Sequence, residues 1–177
     1  MIGSRILTVI AFLTVLVSGP AFADGSNLAW AVYFSPQGGC TEAIIKELQG
    51  ARTNIQIQAY SFTSDDIAKA LLVAQKRGVH VRIILDKSQR TEKYSAADFL
   101  SHAGIETLID AQHTIAHNKV MIIDGATVIT GSFNFTKAAE NSNAENLLII
   151  HDATLAGKYL LNLDHHARHS SAYSRNR

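Results

Sequence analysis

The sequence predicts an α/β fold in which helices pack on a sheet that is at least partly parallel. Three observations predict it. Segments with the two-residue period of strands alternate with segments of helical spacing, in the order β-α-β-α-β-α between residues 28 and 102. Turn residues close these segments at Gly50, Gly78, Gly104 and Asp124-Gly125. No linker, internal repeat or low-complexity stretch divides the chain, so one domain with a substantial core is expected over residues 24–177.

Leu28 to Phe34 reads as the first strand, and Thr41-Glu42 opens a helix carrying Ile44, Ile45 and Leu48 at helical spacing. From Asn54 to Phe62, Ile55, Ile57 and Ala59 alternate with Gln56, Gln58 and Tyr60, the pattern of a half-buried strand. Ser64-Asp65-Asp66 caps a helix through Ile67, Ala70, Leu71 and Ala74. Val79 to Leu85 is rich in β-branched residues and suits a buried strand. Thr91 to His102 is expected to be helical, and Ile105 to Ile109 a strand. Lys119–Ile123 and Thr127–Thr130 form a hairpin about Asp124-Gly125. A short helix at 136–141, a strand at 145–150 and a helix at 153–168 follow.

Arg5, the largely apolar run Ile6–Val17 and the small-residue site Ala21-Phe22-Ala23 have the three parts of a secretory signal peptide, placing a signal over residues 1–23. A retained anchor is the competing reading, disfavoured because the run falls short of the roughly 20 apolar residues that a span needs. Without Arg5, Lys+Arg and Asp+Glu are equal in number, so bulk charge predicts no polyanion partner. Local charge is another matter: Lys76, Arg77, Arg82, Lys87, Arg90 and Lys93 lie close in sequence. A solvated helix end and a phosphate-binding patch both fit them. Cys40 is the single cysteine, which excludes an intramolecular disulfide; a small buried hydrophobe is favoured over a dimer cross-link.

The chemistry is concentrated between residues 117 and 134. His117-x-Lys119, four residues, Asp124, six residues, then Gly131-Ser132-x-Asn134 make up the pattern HxKx4Dx6GSxN. On a strand His117 and Lys119 point to one face, about 6–7 Å apart. A returning hairpin strand brings the Gly131–Asn134 turn to their rim, supplying a cation, neutral donors and a nucleophile suited to a phosphate. Asp124 lies about 16 Å along the strand from Lys119, which suits orienting a turn more than direct chemistry.

This pattern resembles the signature of the phospholipase D superfamily, with all six fixed positions filled, and is most similar to the small single-motif periplasmic bacterial endonucleases that resist EDTA. The resemblance implies a phospholipase D-like α/β/α sandwich: a mixed, mostly parallel sheet flanked by helices on both faces. It implies that His117 attacks phosphorus, giving a phosphohistidine, while a second histidine protonates the leaving oxygen. Lys119 and Asn134 would hold the non-bridging oxygens, with Ser132 assisting. It also assigns Asp124 to the catalytic set, and Glu145 as the hydrogen-bond acceptor that orients His117. One motif copy supplies one histidine, so a C2 homodimer is expected, with His117 of both chains at one phosphate.

His165, His166 and His169 are read as a solvated tail rather than a metal site, and His113 as a loop or groove residue. No metal ligand and no cofactor is expected. Tyr60, Phe62, Phe133, Phe135, Tyr94 and Trp30 are assigned mostly to packing, with base stacking as the alternative. The resulting expectation is a non-specific nuclease acting on DNA and on RNA, periplasmic or else secreted, with no stable membrane association after signal removal. A phospholipase D acting on a lipid such as cardiolipin is the rival enzyme, and a non-catalytic nucleic-acid-binding protein the rival of another class.

Overall fold

Runs of consecutive apolar residues in the central strands give the sheet two apolar faces there, and helices cover both over its centre. The computed structural model describes residues 30–174, so the signal-peptide expectation for residues 1–23 lies outside the described residues. Among the described residues, eight strands form one sheet: β1 (Trp30–Ser35), β2 (Asn54–Ala59), β3 (His80–Asp86), β4 (Glu106–Asp110), β5 (Lys119–Ile123), β6 (Thr127–Gly131), β7 (Glu145–His151) and β8 (Ser171–Ala172). Their spatial order is β1-β7-β6-β5-β2-β3-β4-β8. The described helices are α1 (Cys40–Gly50), α2 (Asp65–Lys76), α3 (Ala97–His102), α4 (Lys137–Asn141) and α5 (Ala153–His169).

On one face, Ile55, Ile57, Ile83, Leu85, Met121 and Ile129 pack against Ile44, Leu48, Ile67 and Leu71 of α1 and α2. On the other, Ile84, Val120, Ile122 and Val128 meet Ala156 and Leu163 of α5. The mixed sheet with helices on both faces is as expected. The mostly parallel balance is not: only β2–β3 and β3–β4 are parallel, and the remaining pairings are antiparallel. Crossover helices α2 and α3 enforce the two parallel pairs, whereas short connections and the return of β7 impose antiparallel order elsewhere.

The helix expected over 91–102 starts only at Ala97. Ahead of it, Asp86 caps a 3-10 turn at Lys87–Arg90, and Gln89 turns inward to accept hydrogen bonds from Phe62 N and Ser95 Oγ. The strand from Asn54 ends at Ala59, because Tyr60 and Phe62 turn towards the motif. Strand β8 has no clear signature in sequence; its two residues close the sheet edge beside β4. Cys40 is fully buried, and burial, aided by the charge of Glu140, pushes its thiol up to about 11. It is thus an inert core residue, unable to reach a partner chain.

Candidate active site

The motif folds as a hairpin because its turn residues accept left-handed backbone. Asp124 has φ 53° and Gly125 φ 63°, the requirement of a tight hairpin turn. The Asp124 carboxylate accepts from the backbone N–H groups of Arg52, Thr53 and Asn54 and from the Thr53 hydroxyl, at 2.8–3.0 Å. It therefore sits at the opposite end of β5 from Lys119: the extended strand separates it from His117, and its lone pairs serve the β2 entrance. Burial pushes Asp124 up, but the hydrogen bonds from Asn54, Thr53 and Arg52 outweigh this and hold it below the usual aspartate value. Since the folded value lies below the unfolded one, this stabilisation is complete above about pH 4 and is lost as pH falls through the folded value. Asp124→Ala is expected to cost about 2 kcal/mol in urea unfolding, with the rate of cleavage within about threefold of the parent; a rate collapse in a folded variant would restore Asp124 to the chemistry.

At the other end of β5, His117 is exposed and Lys119 is buried, with 7% of its surface accessible. The Lys119 Nζ donates to the His117 carbonyl at 2.9 Å and lies 5.0 Å from the centre of the Tyr60 ring. The same ring lies 4.5 Å from the His117 imidazole. Tyr60 thus joins imidazole and ammonium into one site. Tyr60 is therefore a site residue rather than the packing residue expected, and the strand that points Ile55, Ile57 and Ala59 inward ends just before it. Burial pushes the Lys119 ammonium below the ordinary lysine value, opposed by the charge of Glu145.

The turn after β6 requires glycine at residue 131. Its φ is 142°, and a Cβ there would come within 2.3 Å of the Asn146 carbonyl oxygen. That oxygen accepts from Ser132 N and Phe133 N, each at 3.1 Å, while Ser132 Oγ accepts from Asn146 N and Nδ2. The Ser132 hydroxyl proton is consequently left to point elsewhere. Asn146, absent from the sequence expectation, organises this turn. Phe133 and Phe135 flank Asn134 and are fully buried, and Phe135 pairs edge-to-face with Phe62. They are core anchors rather than stacking platforms. Asn134 Oδ1 is buried without a hydrogen-bond partner.

Glu145 begins β7, paired in register with Ser35, and its carboxylate accepts from Asn143 Nδ2 at 3.2 Å. The expected bond to His117 is not made among the described residues; Glu145 acts instead on Lys119 through its charge. The segment entering the motif is held by Asp86, whose Oδ2 accepts from Ala116 N at 2.7 Å. Burial pushes the Asp86 carboxyl up, but bonds from Ser88 and Ala116 prevail and keep it below its usual value. No sequence pattern singled out Asp86.

The basic run does not form one patch. Arg77 caps the end of α1 through the carbonyls of Leu48 and Ala51, Arg82 binds Gln56 and Asp164, and Arg90 reaches Ser171. The expectation of a solvated histidine tail holds for His165, which is exposed. It fails for His166 and His169, which turn inward onto buried Asp110 beside His113, because α5 folds back across the end of β4.

Comparison with known proteins agrees with this arrangement. A family model described as cardiolipin synthase, PLD-like domain, matches residues 44–167. The chain is 50% identical over 129 residues to a phospholipase D of Rickettsia bellii, covering 73% of this chain and 64% of that protein, so it spans slightly less than two thirds of that relative. It is 34% identical over 116 residues to the mitochondrial cardiolipin hydrolase of Xenopus laevis, covering 66% of this chain and 55% of that one. The crystal structure of Nuc, a phospholipase D family member from Salmonella typhimurium, superposes with a TM-score of 0.78 at 39% identity, covering 81% of this chain and 97% of the other. With the intact motif assembled at one end of β5 and β6, these likenesses establish that the chain belongs to the phospholipase D superfamily.

Proposed function

We propose that the protein is a metal-independent phosphodiesterase that cleaves DNA, and RNA as well, at a site shared by two copies of the chain. The observation that carries this reading is the pairing of an exposed His117 with a desolvated Lys119 against Tyr60, beside the Gly131–Asn134 turn. An imidazole nitrogen of His117 attacks phosphorus, forming an N–P bond as the P–O bond to the leaving alcohol breaks. His117 of the partner subunit gives that alkoxide its proton. Water then attacks phosphorus, yields a proton to the same partner imidazole and releases His117, so the net products are an alcohol and a phosphomonoester. Lys119 Nζ and the Asn134 Nδ2 amino group, both donors, stabilise the charge on the non-bridging oxygens.

The dimer is supported by an apolar face that the monomer leaves uncovered. Trp30, Val32 and Phe34 of edge strand β1 are exposed, and their cross-strand neighbours Ile150 and Leu148 are only partly buried. Phe34 pairs with Asn146, the residue that holds the Ser132 turn, so a second copy seated on this face would lie next to the site. A patch of aromatic and aliphatic groups on a sheet edge is what an isologous interface buries.

A lipid phosphodiester is the second reading, favoured by the names of the Rickettsia and Xenopus relatives. Nucleic acid is preferred because the reacting imidazole lies open on the surface, within reach of a bulky polymer. Among the described residues no helix is long and apolar enough to cross a membrane. Export to the periplasm, or secretion, belongs to the same proposal and rests on the N-terminal sequence pattern. The test is incubation with plasmid DNA, RNA and cardiolipin vesicles in excess EDTA, well below the unfolding temperature. Nucleic-acid cleavage should persist, and binding through about three phosphates should weaken about 40-fold between about 50 and 200 mM salt. Release of lipid headgroups with intact plasmid would replace the nuclease reading, and loss of all cleavage restored by divalent ions would remove the mechanism.

A further inference from the structure

We propose that Asp110, His113, His166 and His169 form a binding site for one zinc-class divalent cation, which clamps the end of α5 to the segment leading into His117. His166 and His169 are one helical turn apart and face the sheet together. Asp110 ends β4 and is fully buried, and His113 follows it in the loop before β5. The Asp110 Oδ2 lies 3.0 Å from His113 Nδ1, 2.7 Å from His166 Nδ1 and 3.3 Å from His169 Nε2. One ligand atom from each of the four residues falls within 4.8 Å of every other. A tetrahedral zinc ion with bonds of about 2.0–2.1 Å sets its ligand atoms about 3.3 Å apart, so small side-chain shifts would admit it.

Three imidazoles converging on one carboxylate is an unusual way to satisfy a buried aspartate. The Asp110 carboxylate also accepts from Gln112 N at 3.1 Å. His169 Nε2 is buried and close to Oδ2, yet it has no aligned hydrogen bond. The rings meet in tilted or edge-on arrangements, with centroids 4.9–5.4 Å apart, so their nitrogens rather than their faces share the central space. A cation at that point would be held by nitrogen lone pairs and one carboxylate oxygen. This donor set suits zinc and its neighbours and is poor for magnesium or calcium, which take oxygen ligands.

Four protein ligands leave no open position, so the ion would act on structure and not on phosphate. Its mechanical effect follows from connectivity. The His113 carbonyl accepts from Lys87 Nζ at 3.0 Å, and Ala116 N is held by Asp86, so the segment before His117 is already fixed on the β3 side. The ion would fix the other side to α5. The inference is independent of the nuclease reading and of its tolerance of EDTA, since its readouts are binding and stability.

The experiment uses the full chain purified without a metal-affinity tag, stripped with EDTA and dialysed. Zinc chloride should bind 1:1 by titration calorimetry and raise Tm by about 5–10 °C at roughly a hundred times Kd, while magnesium leaves Tm unchanged. Cobalt(II) should show the intense visible bands of a four-coordinate ion. The double variant H166Q/H169Q should lose the zinc-dependent Tm shift, with cleavage at low temperature kept. If that variant fails to fold, the cobalt spectrum of the parent protein decides. Absence of 1:1 zinc binding, a weak six-coordinate cobalt spectrum, or a zinc shift surviving in the folded double variant would overturn the proposal.

Discussion

His117→Ala is expected to lower the cleavage rate by at least about 10⁴-fold, with the fold and substrate binding retained. The His117 side chain is exposed and its described contact is the Tyr60 ring, so truncation leaves no cavity in the core and no buried group unpaired. Lys119, Asn134 and the Ser132 turn stay in place to bind phosphate. Circular dichroism and thermal unfolding should match the parent, and fluorescence anisotropy should report nearly unchanged affinity for an oligonucleotide. Subunit mixing sharpens the test. If each site needs an imidazole from both chains, an equimolar mixture of parent and variant, re-equilibrated as dimers, should keep about a quarter of the activity of the same total amount of parent. A mixture keeping half would mean that each chain works alone, and a variant cleaving normally would remove His117 from the nucleophile's role.

The second large effect concerns the edge strand. Replacing Trp30 and Phe34 together by glutamate should yield a folded monomer with cleavage reduced more than about 100-fold. Both side chains are already more than half exposed in the single chain, so the monomer loses little packing. A dimer that buries the same face would have to desolvate four carboxylates with no cation opposite them on β1 or β7. Sedimentation velocity gives the oligomeric state, and the nuclease assay on the same sample gives the activity. A fully active monomer would eliminate the shared site. An unaltered dimer would place its interface on another face.

The residues of the site differ in how far the local sequence determines their place. His117, Lys119, Gly131, Ser132 and Asn134 were legible because a strand's two-residue period and a tight hairpin bring neighbours in sequence together in space. For the same reason the position of Asp124 at the turn could be derived by counting residues along the strand. Tyr60, Asp86 and Asn146 were not legible. Each reaches the motif from a different strand, through β2–β5 pairing, the β3 terminus and β6–β7 pairing. Glu145 was legible as a residue near the motif, but its carboxylate belongs with Asn143 and Lys119 because β7 register with β1 sets where it points.

By itself the sequence determined the alternation of helices and strands, the hairpin with its glycine-dependent turn, and the nearness of the cation and the imidazole, two residues apart at the head of β5. All of these are local, set by side-chain period and by which residues tolerate a positive φ. Tertiary structure alone decided the predominance of antiparallel pairing, the Tyr60 bridge, the uncovered apolar face of β1 and β7, and the meeting of Asp110 with three histidines. Those depend on contacts between residues distant in the chain, whose partners are selected by packing both faces of the sheet at once.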